Sequence, residues 1–152
     1  MKIDKISSLI ITIGIVFSMH VHAQKNFYKD AERAYKNKEY YAAIDLYKAA
    51  YKSANKDKKA EVLFKTAECY RRINDTKQAE TYYSKTIKAK YPDPIATLRL
   101  ADMMKANEKY PEALAEYNNY KQDMPSERAG EEGAKSCELA QQWKDNPTRY
   151  LV

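Results

Sequence analysis

From Phe27 onward, apolar residues return every three to four positions, the spacing that gives a helix one buried face. Read by that period, helices are predicted over 27–37, 40–53, 57–73, 76–89, 94–106, 111–122 and, last, about 126–144. The punctuation agrees. Asp93 stands as a cap before Pro94, and Pro111 follows Tyr110, each proline at a first helical turn where a missing N–H is harmless. Asp75, with Gln78 three residues later, opens another helix in the manner of a capping box. No proline falls inside a predicted helix, and the linkers are a few residues long, so successive helices must be antiparallel neighbours. Gly14, Gly130 and Gly133 are the only glycines. An all-β fold needs a turn every ~8–12 residues, and this chain lacks the residues to build them.

The helices repeat. Ala43, Ala79 and Ala113 recur at near-equal intervals, and Tyr47, Tyr83 and Tyr117 follow each by four. Twelve residues before each alanine lie Ala31, Ala67 and Ala101; nine before lie Ala34, Tyr70 and Met104; sixteen before lie Phe27, Leu63 and Thr97. Tyr40 and Tyr110 precede the first and third alanine by three, with Thr76 at that place in the second. Small residues let paired helices approach, and aromatic ones fill the gaps between pairs. One pair cannot bury both its faces, so about three are needed with a polar cap at the end. The 126–144 segment suits a cap, carrying Glu131, Glu132, Lys135, Glu138 and Gln142. Most of the fourteen tyrosines fall on core positions, with Tyr28 and Tyr35 the expected exceptions.

This pattern resembles the tetratricopeptide repeat, whose unit of roughly 34 residues reads W-x2-L-G-x2-Y, then A-x3-F, then P. The likeness covers about residues 27–125. It implies an all-α solenoid of three helix-turn-helix repeats (about 26–55, 57–91 and 93–125), a capping helix over 126–144, and a tail or linker over 145–152. The second unit departs from the pattern at Thr66, Thr76 and Thr86, and Asn55 and Tyr91 replace the closing prolines. The resemblance further implies a concave face lined by the first helix of each pair, where partners dock. Carried over by the alignment, its partner-binding residues are Tyr28, Glu32 and Tyr35, then Phe64, Glu68, Arg71 and Arg72, then Leu98, Asp102 and Lys105, and Lys25 also takes a lining position. Phe64 and Arg71 are the expected anchors. Chaperone-binding members grip a C-terminal carboxylate with Lys and Asn at such positions; Tyr28, Glu32, Phe64 and Glu68 stand here instead, so that ligand is not expected.

Residues 1–23 read differently. Lys2 and Lys5 precede an apolar run over 6–17, and Val21-His22-Ala23 leads to Gln24, the three-part pattern of a cleaved export signal. The run is shorter than the ~20 residues that span a bilayer, so no membrane span is expected after cleavage. Gln24, not a cysteine, stands directly after the cleavage point, so lipidation there is not expected. Cleavage lowers the net charge from +6 to +5 and removes His20 and His22, the only histidines. Without imidazole there is no Ser-His-Asp or Cys-His machinery and no histidine metal ligand; neither an enzyme nor a cofactor is expected. Cys69 and Cys137 lie in different helical patterns and are expected to be buried reduced thiols. The lysines are scattered among acids instead of forming one stripe, which argues against a nucleic-acid partner.

The segment Ser136-Cys137-Glu138-Leu139-Ala140, with Trp143 and Asn146-Pro147-Thr148-Arg149-Tyr150, resembles the close of the repeat domain in OmpA-family envelope proteins of Bacteroidota, of which PorE of the type IX secretion system is one member. In that family a propeller and a peptidoglycan-binding domain follow, so peptidoglycan binding is not assigned to these residues. The expectation is a non-catalytic, periplasmic, outer-membrane-associated interaction scaffold of a cell-envelope complex. The alternative is a cell-wall module that holds peptidoglycan or a peptide in the groove.

Overall fold

The computed structural model describes residues 26–146; the export-signal pattern, Lys25 and the end of the tail lie outside them. Seven helices follow one another: α1 (Phe27–Lys36), α2 (Tyr40–Ser53), α3 (Lys56–Arg72), α4 (Thr76–Lys88), α5 (Ile95–Ala106), α6 (Tyr110–Asp123) and α7 (Arg128–Asp145). No strand occurs among the described residues. Each helix packs against the next, and α7 also touches α5. The predicted ends hold to within one or two residues. Asp93 caps as expected, its carboxylate accepting the Ile95 N–H at 2.9 Å, and Asp75 accepts the Gln78 N–H at 3.1 Å. Asn26 and Asn55 cap α1 and α3 in the same way, accepting the Lys29 and Lys58 N–H groups.

The period seen in the sequence is the period of burial. Ala31, Ala67, Ala101, Ala43, Ala79 and Ala113 are each fully buried, and Tyr47, Tyr83 and Tyr117 are at most 1% exposed. Alanine at these six places lets the two helices of a pair touch along their backbones, and the three rings fill the space where one pair meets the next. The departures in the second unit are accommodated locally. Thr66 and Thr86 donate to the carbonyls of Val62 and Tyr82 at 2.8 Å, satisfying hydroxyls that burial would otherwise strand. Thr76 donates to the Asn107 side chain at 2.6 Å, joining the second unit to the turn of the third.

Three turns inside the pairs are alike. Lys38, Asn74 and Glu108 take φ of 63°, 59° and 60°. At each, the left-handed residue donates to the carbonyl three back and its successor to the carbonyl five back, as Lys38 does to Tyr35 and Glu39 to Ala34. This pair of hydrogen bonds closes the helix and reverses the chain. Lys90 ends α4 the same way, with φ 60°. A side chain with Cβ is strained there. Lys38 is exposed, so Lys38→Gly is expected to stabilise the fold by about 0.5–1 kcal/mol, after glycine's greater chain entropy is set against the relieved strain. Thermal melts check this; a lower midpoint in the variant would contradict it.

The cap is more than a polar lid. Gly130 and Gly133 face inward from α7 onto α6, where a Cβ on Gly133 would stand 2.2 Å from the Tyr117 ring. α7 thus occupies the place of a first helix in a further pair. Cys69 and Cys137 are buried and unbonded, in separate core clusters, as the sequence suggested. Burial pushes the Cys69 thiol up to about 12, so it stays protonated.

Candidate functional site

The first helices α1, α3 and α5, continued by α7, form one face, and side chains stitch it together. Tyr28 of α1 donates to Glu61 of α3, and Lys58 lies 3.6 Å from the centre of the Tyr28 ring while pairing with Glu61 at 2.8 Å. Glu32 pairs with Lys65 of α3 at 3.2 Å. Arg71 holds Glu68 with two bonds, of 3.2 and 2.7 Å, and Arg99 pairs with Asp102 at 3.2 Å. Lys105 donates to Ser136 of α7 at 3.0 Å.

Three of the four acids on this face, Glu32, Glu68 and Asp102, have a second task. Tyr47 donates to Glu32, Tyr83 to Glu68, and Tyr117 to Asp102, the last at 2.7 Å. In every unit the tyrosine lies fifteen residues after its acid. The second helix therefore fixes the first through one buried hydroxyl, and the carboxylate is held from beneath by tyrosine and from above by a cation. Glu32, Glu68 and Asp102 are thus built into the wall of the groove, and Glu68 is only 9% exposed. The signal was present in the sequence, since the acids recur at the same intervals as the alanines. Of the cations, Lys65 and Arg99 share one repeat position with Lys29, whereas Lys58 carried no such mark.

The remaining predicted positions divide by access. Leu98 is buried, 8% exposed, in the core cluster of the third unit. Phe64 is half-buried. It stacks on Tyr91 at 4.7 Å, nearly parallel, and meets Tyr83 edge-on at 6.0 Å. Tyr35 is half-buried against Tyr40, their centroids 5.6 Å apart. Arg72 is exposed. Beside this face, Lys56, Asp57, Ala60, Glu61, Lys65 and Tyr91 line a cleft of about 560 Å³. It presents the Tyr91 ring beside charges of both signs. Among the described residues, no set of three His, Cys, Asp or Glu side chains is placed to hold a metal ion, and no helix is long and apolar enough to cross a membrane.

These tethers make stability depend on pH at both ends. Burial pushes the Glu68 carboxyl up, but the bonds from Arg71 and Tyr83 outweigh it and hold the group below its ordinary value. A depressed carboxylate contributes stability above its unfolded value of ~4.3 and loses it as pH falls through the folded value. Burial first, and the neighbouring carboxylates second, push Tyr47, Tyr83 and Tyr117 upward. A raised tyrosine contributes below its unfolded value of ~10 and loses that contribution as pH rises through the folded value. Urea midpoints should therefore be flat between about pH 5 and 9 and fall on both sides. A midpoint that stays level to about pH 11 would show that the three hydroxyls are not held as described.

No protein-family model matches the chain, and no curated protein matches it in sequence. Solved structures do match it in shape. The TPR domain of Arabidopsis OM64 is 20% identical with a TM-score of 0.65, over 75% of this chain and 93% of that one. The first TPR of Spaghetti (RPAP3), bound to the HSP90 peptide SRMEEVD, is 17% identical with a TM-score of 0.68, over 76% and 90%. The second TPR domain of human RPAP3, in complex with the HSP70 peptide SGPTIEEVD, is 16% identical with a TM-score of 0.66, over 74% and 92%. The fold is an all-α tetratricopeptide solenoid of three helix-turn-helix repeats and a capping helix.

Proposed function

We propose that this chain is a non-catalytic protein-interaction scaffold that docks an extended segment of a partner protein along the face of α1, α3 and α5. The observation that carries this reading is the division of labour on that face. Its acids are bonded to tyrosine and cation, while Arg72, Tyr35 and the Phe64–Tyr91 stack remain open to a ligand. Aromatic rings and guanidinium groups are the side chains that dominate binding hot spots. Solenoids of this shape hold peptides in two of the similar structures. The Lys and Asn grip for a C-terminal carboxylate is missing at Tyr28, Glu32, Phe64 and Glu68, so the segment read here is an internal one.

The place of action we propose is the periplasm, in a cell-envelope complex of the type IX secretion kind, associated with the outer membrane. This rests on the export-signal pattern of residues 1–23 and the OmpA-family resemblance around Cys137 and Trp143. Mass spectrometry of exported protein should find a mature start at Gln24; an intact Met1 in the envelope fraction would rule the periplasmic reading out.

The docking face is tested by affinity capture from an envelope extract. Arg71→Ala is a poor probe because it unpairs the buried Glu68. Exposed Arg72→Glu, with Tyr35→Ala, should lose the proteins that wild type retains. Lys121→Glu, exposed on the second helix of the third unit, should retain them. The reverse pattern defeats the groove reading. Sedimentation with purified peptidoglycan that Arg72→Glu abolishes would replace a protein partner by a cell-wall ligand.

A further inference from the structure

The opposite face of the second unit carries a cleft that the groove reading does not use. It lies between the second helices α2 and α4, with α3 beneath. Val62, Leu63 and Thr66 form its floor; Lys48 and Tyr51 stand on one bank, Tyr82 and Lys85 on the other. Its volume is about 210 Å³. Its floor sits at a place where the repeats differ, Asp30 in the first unit and Thr66 here. At the place equivalent to Thr66, the third unit has Leu100, which is 4% exposed and part of the larger core cluster. Threonine is shorter, and its hydroxyl is turned back to the Val62 carbonyl. The floor is therefore apolar and lower by part of a side chain.

The rim is cationic. Lys48 lies 5.4 Å from the centre of the Tyr70 ring, Lys85 lies 4.6 Å from that of Tyr82, and Lys59 lies 5.2 Å from that of Tyr51. Among the described residues, none of these three ammonium groups pairs with a carboxylate; Asp45, one turn before Lys48, acts on it only from a distance. Lys58, Lys65, Lys109, Lys135 and Lys144 do pair with acids. Rings that hold ammonium groups by cation–π attraction keep them at the cleft without neutralising them.

We propose that this convex cleft is a second docking site, taking an acidic peptide segment that lodges one large apolar side chain on the Thr66 floor and sets its carboxylates against Lys48, Lys59 and Lys85. Size selects a side chain over a whole small molecule, whose pockets run to ~300–1,000 Å³. Charge selects acids around it, because the two unpaired cations on its banks, Lys48 and Lys85, with Lys59 next to the Tyr51 ring, complement no other sign. The site lies on α2 and α4, away from the proposed groove, so one chain can bridge two partner segments.

The test uses a fluorescent, N-acetylated and C-amidated peptide, Asp-Glu-Phe-Glu-Asp, titrated with the protein in low and moderate salt. Wild type should bind it, more weakly as salt rises. Thr66→Leu fills the floor and should weaken binding roughly tenfold while the melting temperature holds or rises. If that variant does not fold, Lys48→Glu with Lys85→Glu, both exposed, should weaken binding at least as much. Arg72→Glu should leave this peptide's affinity unchanged, which separates the site from the groove. The proposal is overturned if wild type does not bind, if the filled or charge-reversed variants bind alike, or if a Lys-Lys-Phe-Lys-Lys control binds equally. It is also overturned if anionic phospholipid vesicles capture the protein through Lys48 and Lys85 while the peptide does not.

Discussion

Tyr83→Ala should destabilise the fold by about 3–5 kcal/mol, the cost of removing a large aromatic side chain from a closed core. The ring is fully buried, meets Phe64 edge-on at 6.0 Å, and belongs to the larger cluster. A domain of this size has about 5–15 kcal/mol in all, so the variant should be partly unfolded near 37 °C. Tyr83→Phe separates packing from polarity. It keeps the ring and removes the hydroxyl that donates to Glu68, whose other bonds to Arg71 survive. Its expected cost is about 1–2 kcal/mol. Urea unfolding of the two variants reads both numbers. Equal losses would mean that the hydroxyl alone matters; no loss in Tyr83→Phe would mean that the Tyr–acid tether is not part of the stability.

Gly133→Ala is expected to be far more damaging than the same change at Gly130, the other glycine among the described residues. In a helix interior the change should gain about 1 kcal/mol from propensity alone. Here the added Cβ meets three Tyr117 ring carbons at 2.2, 2.4 and 2.5 Å. The ring cannot retreat, because it is 1% exposed and its hydroxyl is bonded to Asp102. Overpacking costs about 1–3 kcal/mol in ordinary cores. A clash with a ring pinned at both ends lies at the upper end, so a net loss of about 2 kcal/mol is expected even after the helix gain. Gly130→Ala is the control. Its nearest contacts are 3.1–3.2 Å, which small shifts relieve, and it should be near neutral. A double-mutant cycle with Tyr117→Leu identifies the cause, since removing the ring should make Gly133→Ala favourable. If Gly133→Ala melts above wild type in the native background, α7 does not pack on α6 as described.

The architecture was readable because its causes are local and periodic. Ala31, Ala67 and Ala101, with Ala43, Ala79 and Ala113, announce where helices must touch, and each is fully buried. Asp75 and Asp93 announce helix starts, and each does cap one. The site was legible only in part. The resemblance to the repeat family pointed to Glu32, Glu68 and Asp102 on the first helices but did not tell what they bond to, since a carboxylate facing a groove and one held by a buried tyrosine look alike in a sequence. The fifteen-residue interval to Tyr47, Tyr83 and Tyr117 joins two helices around a turn, and only the packed pair shows that hydroxyl and carboxylate meet.

The sequence by itself determined the number of helices, their order, and the faces they bury, because a 3.6-residue period and a few small residues leave the backbone little choice. Tertiary structure decided which charges are already paired and where space is left over. Lys65 reaches Glu32 of the preceding helix pair, whereas Lys48 and Lys85 find no acid. At Thr66 the sequence showed a departure from the repeat, and the structure showed a cleft there, between α2 and α4. The reason is physical. Backbone conformation follows from neighbours in the chain, whereas the partner of a charge and the volume beside a short side chain depend on which helices the fold lays side by side.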